Sequence, residues 1–136
     1  MLHRTWGAAA ALALITTAAS AQTAAVKDPV TDGRPLSAWV ADLKADAPQV
    51  RNAAAYEISG LGPAAAPVVP ALIEALDDPA PTVRFPVTVA LGEIGPAASA
   101  AVPRLQKMMD DEVNDEIAAA AKRALRRIQP EAVSSE

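Results

Sequence analysis

The stretch RNAAAYEISGLGPAAAPVVPALIEALDD, residues 51–78, is followed 33 residues later by a near copy, RFPVTVALGEIGPAASAAVPRLQKMMDD, residues 84–111. The superposition pairs Arg51 with Arg84, Ile58 with Leu91, Gly62-Pro63-Ala64-Ala65 with Gly95-Pro96-Ala97-Ala98, Val69-Pro70 with Val102-Pro103, Leu72 with Leu105, and Asp77-Asp78 with Asp110-Asp111. Self-similarity at a fixed period of a few tens of residues marks stacked supersecondary units, none of which can bury its apolar face alone.

Within each unit the apolar spacing is helical. The first unit predicts a helix over 48–60 with Val50, Ala54, Ile58 and Leu61 inward, a stop at Gly62-Pro63, and a return helix over 67–76 carrying Val69, Leu72, Ile73 and Leu76. The second predicts a helix from Pro81 with Val83, Val87, Ala90, Leu91 and Ile94 inward, a stop at Gly95-Pro96, and a return helix over 101–110 with Val102, Leu105, Met108 and Met109. Pro86 lies about one turn inside and is expected to kink this helix or delay its start.

Outward from these two copies the pattern degrades at both ends. On the N-terminal side, Pro35 opens a short helix whose Leu36, Trp39, Val40 and Leu43 fall at i, i+3, i+4, i+7. Trp39 and Leu43 align with Leu72 and Leu76, so this segment reads as the return helix of a truncated opening unit, and Trp39 as a core or capping residue rather than a ligand platform. On the C-terminal side a helix over 113–128 matches at an offset of 34, with Ile117, Ala121, Ala124, Leu125 and Ile128 inward. There Lys122, Arg123, Arg126 and Arg127 replace Thr88, Val89, Gly92 and Glu93. A polar outer face suits the terminal cap of a repeat stack, and positive charge is favoured near a helix C-terminus. An anionic-partner site is the lesser reading of the same cluster. Glu57, where later units have Ala90 and Ala124, reads as a solvated edge residue, with a partner contact as the alternative.

The remaining segments read as non-core. Residues 1–21 resemble an export signal: a polar head with His3 and Arg4, an apolar run from Trp6 to Ala19, and the small-x-small Ala19-Ser20-Ala21. Cleavage after Ala21 is expected, with a secreted or periplasmic destination and no stable membrane insertion thereafter. Residues 22–34 are expected to form an extended linker, 35–130 the repeat domain, and 131–136 a disordered tail.

Composition bounds the chemistry. Removal of the leader leaves 11 Lys and Arg against 16 Asp and Glu, a net charge of −5, a poor match for nucleic acid. It also removes the single histidine, His3, from a chain with no cysteine, so thiolate, imidazole and the common nitrogen and sulfur metal sites are excluded from the processed chain. Adjacent carboxylates at Asp77-Asp78 and Asp110-Asp111-Glu112 lack the glycine-bearing oxygen-rich loop of a calcium site. No catalytic residue, metal or cofactor is expected.

A two-helix unit with proline near the start of its first helix, Val-Arg soon after (Val50-Arg51, Val83-Arg84), a Leu/Ile-Gly-Pro-Ala-Ala turn and Val-Pro-x-Leu opening its second helix resembles the HEAT repeat, in the short form of the lyase-like HEAT proteins. The resemblance covers 35–130, although the period is below the ~40–47 residues usual for HEAT units. It implies an all-α fold, an α-α superhelix of about six helices in antiparallel pairs. It also implies a ladder of Asp and Arg residues joining neighbouring units, here Asp46 with Arg51 and Asp78 with Arg84, with Asp111 left over because Ala118 stands at the arginine position. Return helices line the concave side of HEAT arrays, which makes Asp42, Lys44, Glu74, Arg104 and Lys107 the candidate protein-binding residues; Arg123 and Arg127 of the basic cluster are the others. The function this implies is a non-enzymatic exported module for protein–protein interaction or scaffolding, as a monomer with an unidentified protein partner. The alternative is an accessory or lyase-like protein that binds a cofactor or assists an enzyme.

Overall fold

The computed structural model describes residues 27–133; the expected export signal and its cleavage site lie outside them. The described chain is an all-α stack: α1 (Leu36–Asp42), α2 (Pro48–Gly60), α3 (Val69–Ala75), α4 (Pro81–Ile94), α5 (Val102–Asp111) and α6 (Asp115–Ile128). The 3-10 segments Gly62–Val68 and Gly95–Ala101 join the helices of the two full units. The outer helices α2, α4 and α6 pack side by side, and the return helices α1, α3 and α5 each pack against the outer helix that follows.

Proline and glycine set the element boundaries. Pro48 and Pro81 occupy the first turns of α2 and α4, where the missing N–H has no intrahelical acceptor to lose. Gly62 and Gly95 end the outer-helix runs at φ 55° and 78°, and Gly95 adds ψ −142°, a region open essentially to glycine alone. This break turns the chain back. Although Pro81–Asp111 has the length and apolar composition of a membrane span, it folds as two helices across that break, with much of it buried in the stack.

The core is built from aliphatic and small side chains. Ile58, Leu72, Leu76, Val83, Val87, Leu91 and Leu105 are fully enclosed, and alanines at 54, 55, 90, 98, 101 and 121 are completely buried, which lets neighbouring helices approach closely. The central helix α4 has neighbours on both sides, and eight of its residues are buried.

Several expectations change at the edges. Residues 27–34 are not a linker: β1 (Val30–Thr31) and β2 (Arg34–Pro35) pair as a two-residue hairpin whose Asp32 and Gly33 both have positive φ. That is the geometry Asp-Gly favours between antiparallel strands. The same segment docks on α1, whose Leu36 and Ser37 N–H groups donate to the Pro29 carbonyl and the Asp28 carboxylate. At the other end Pro130–Val133 is a 3-10 turn against α6, so the expected tail begins in ordered structure.

Val50, expected inward, is 40% exposed, because its equivalents Val83 and Ile117 face a preceding outer helix and α2 has none among the described residues. Met109 is exposed too, since α5 continues in α-helical geometry through Asp111 and presents Met108 to the core instead. Pro86 neither breaks α4 nor delays its start at Pro81.

Candidate functional site

The two ends of the stack are closed differently. At the N-terminal end of the described residues the hairpin packs where an outer helix stands in the later units. The Trp39 indole is 7% exposed and donates its Nε1–H to the Thr31 carbonyl at 3.2 Å, while the Arg34 guanidinium lies 4.0 Å over the ring. Arg34 also pairs with Asp42 at 2.8 Å. Glu57 is neither a solvated edge nor a free contact: its Oε2 accepts from Thr31 Oγ1 at 3.0 Å. Where α4 and α6 carry Ala90 and Ala124 to meet a neighbouring helix, α2 carries a polar group that holds the hairpin.

The arginine ladder runs in a register other than the expected one. Arg51 does not pair with the Asp46 carboxylate. Its Nε and Nη2 donate to Asp78 at 2.7 and 3.0 Å, and its Nη1 donates to the backbone carbonyls of Ala45 and Asp46. Arg84 likewise grips Glu112 at 2.9 and 3.1 Å and the carbonyls of Asp78 and Pro79, rather than the Asp78 carboxylate. Each arginine therefore ties the corner before its helix to the acid that ends the next return helix.

Burial pushes the Asp78 carboxyl up. The fork from Arg51, the Ala80 N–H and the charges of Arg51 and Arg84 outweigh it and hold Asp78 below the usual carboxylate range. For Glu112 the Arg84 hydrogen bonds dominate, opposed by burial and aided by the Asn114 N–H, so this group too is held low. The Asp78 bond raises Arg51 in turn. These bidentate pairs, with carboxylates only 7% exposed, are structural ties between units rather than an open binding ledge.

The candidate residues on the return helices form one row of exposed charge. Lys44, in the turn after α1, reaches Glu74 of α3 at 3.7 Å, Asp77, in the turn after α3, pairs with Arg104 of α5, and Lys107 pairs with Asp111 one turn on. Two shallow grooves run beneath it, of 240 Å³ between α1 and α3 and 340 Å³ between α3 and α5, and Asp77 lines both. Asp42 belongs to the N-terminal cap through Arg34. Asp77 and Asp111 are site residues that sequence reasoning missed, although each belongs to the Asp-Asp pair that recurs in both repeats as Asp77-Asp78 and Asp110-Asp111.

Arg123 and Arg127 are not brought into this row. They rim a separate 290 Å³ groove between α4 and α6, floored by Gly92, Ala120 and Ala124 and walled by Val89. Arg127 pairs with Glu93 at 2.6 Å. At Gly92 the two outer helices approach closely: a Cβ there would stand 3.1 Å from the Ala124 Cα. Among the described residues no three His, Asp or Glu side chains gather as metal ligands would.

A stack of paired helices repeating every 33 to 34 residues, with arginine–carboxylate ties at its corners, defines an α-helical repeat solenoid. A family model for HEAT repeats matches residues 36–126, and the chain belongs to that family. HEAT repeats are in general protein-interaction and scaffold modules. No curated protein matches the chain in sequence.

Proposed function

We propose that this chain is an exported, non-enzymatic HEAT module that binds a protein partner, as a monomer, through the face of its return helices. The observation that carries this reading is the row Lys44, Glu74, Asp77, Arg104, Lys107 and Asp111 above two adjoining grooves. Exposed ion pairs of this kind contribute roughly 0–1 kcal/mol each, so a partner that exchanges them for charges of its own loses little by breaking them. Their mixed signs give a partner a register to match, which favours specificity over bulk attraction. The export half of the proposal rests on the leader-like residues 1–21 and the small residues Ala19, Ser20 and Ala21.

The test is affinity co-purification from the native cell envelope with the chain and with its E74K/R104E/K107E variant. Loss of the recovered partner in the variant supports the proposal, and an unchanged set of partners refutes it. Intact mass of the exported chain checks the leader: a product beginning at Gln22 is expected, and one that keeps Met1 overturns the cleavage.

A further inference from the structure

The groove between α4 and α6 differs from the return-helix face in its electrostatics. Across most of the molecule cations are matched: Arg34, Lys44, Arg51, Arg84, Arg104 and Lys107 each sit against a carboxylate. Among the described residues Lys27, Lys122, Arg123 and Arg126 have no ion-pair partner, and the last three are exposed together on α6. The one carboxylate on the groove, Glu93, is neutralised by Arg127 and does not cancel them. In a chain with a formal net charge of −4, two of these unmatched cations, Arg123 and Arg126, line one groove.

The floor between those cations is apolar and has a cause. Because Gly92 has no side chain, α6 settles onto α4 with Ala124 against the glycine, leaving a trough bounded by Val89 and Ala120. A further outer helix of a longer stack would cover the positions of Arg123 and Arg126, which replace Val89 and Gly92 of the preceding unit. Long charged side chains close that route and leave two guanidinium forks at the groove edge. Guanidinium binds carboxylate bidentately, and does so more strongly where the floor excludes water.

The geometry points to this groove as a docking site for an acidic peptide segment, in which carboxylates flank one aliphatic side chain. The carboxylates bridge to Arg123 and Arg126 while the aliphatic group sits over Gly92 and Ala124. The site is independent of the return-helix face and stands or falls without it.

The probe is a fluorescein-labelled peptide with two glutamates on each side of one leucine, capped at both termini and titrated against the purified chain by fluorescence anisotropy at low salt. Binding is expected to weaken at least ten-fold in R123E/R126E and measurably in the milder R123Q/R126Q, with circular dichroism confirming the fold of each. It is expected to persist in K44E/E74K, which alters only the return-helix face. Glutamine in place of the glutamates, or glycine in place of the leucine, should each weaken it. No binding by the unaltered chain, equal binding by R123E/R126E, or equal binding of the glycine peptide would overturn the proposal, the last by showing attraction without the groove.

Discussion

Asn52 on α2 and Pro86 on α4 are complementary: the Asn52 side-chain amide donates to the Thr82 carbonyl, the group four residues before Pro86 that an ordinary residue at 86 would engage with its own N–H. Proline inside a helix removes one donor and strands one acceptor. Here a neighbouring unit supplies a donor for the stranded carbonyl, and α4 runs through Pro86 without a break.

A double-mutant cycle follows from that pairing. Asn52→Ala should destabilise the chain by about 0.5–1.5 kcal/mol, the net worth of a typical hydrogen bond. In a Pro86→Ala background residue 86 regains its N–H, and the cost of losing Asn52 should largely vanish. Thermal melts of the four proteins measure the coupling; two additive substitutions would show that Asn52 does not serve the proline.

Gly92 sets the spacing of α4 and α6. Gly92→Leu must push a side chain into the Ala124 backbone, where even a Cβ has only 3.1 Å. Overpacking of this kind costs roughly 1–3 kcal/mol. Chemical denaturation should show that loss, whereas the same change at exposed Gly60, where a Cβ meets nothing within 4 Å, should not.

The N-terminal cap is testable through Trp39, the only tryptophan apart from Trp6. Trp39→Ala should cost about 3–5 kcal/mol by emptying a core site. Trp39→Phe keeps most of the packing, loses the bond to the Thr31 carbonyl, and should cost about 1 kcal/mol. Urea midpoints of both variants give the comparison, and a near-neutral Trp39→Ala would contradict the capping role.

Asp78 and Glu112 make stability depend on acid. Their folded-state affinities for protons are depressed, so the stabilisation they give is fully present above the ordinary carboxylate pKa of about 4 and disappears as pH falls through the lower folded values. Melting temperature should change little on their account near neutrality and fall below about pH 4. Asp78→Asn and Glu112→Gln should lower it near neutrality and flatten the acid slope. Asp111→Asn should do neither, because Asp111 meets only Lys107 on the surface.

That contrast marks a boundary between what could be read and what could not. An offset of 33 aligns Asp78 with Asp111, yet Glu112 occupies the Asp78 role: each accepts from an arginine fork and from the N–H two residues on, that of Ala80 or Asn114. Helix α5 runs through Asp111 whereas α3 ends at Ala75, and the acid that reaches Arg84 is decided by where that longer helix stops. Among the candidate binding residues the sequence supplied the positions on the return helices, while their grouping into ion pairs with Asp77 and Asp111 required neighbouring helices to be placed.

By itself the sequence determined the class of fold, because an apolar period of 3.6 nested in a repeat of 33 residues has few solutions other than stacked helix pairs. It also marked the turns, since Gly62-Pro63 and Gly95-Pro96 can only interrupt a helix. Tertiary structure alone decided the fate of residues whose partners are distant in the chain. Val50 lost its cover and Glu57 gained Thr31 because, among the described residues, no outer helix precedes α2, and the arginine forks chose their acids across a unit. Periodicity records which face of a helix is apolar. What that face meets is set by packing, where a neighbour, a hairpin or solvent can take the same place.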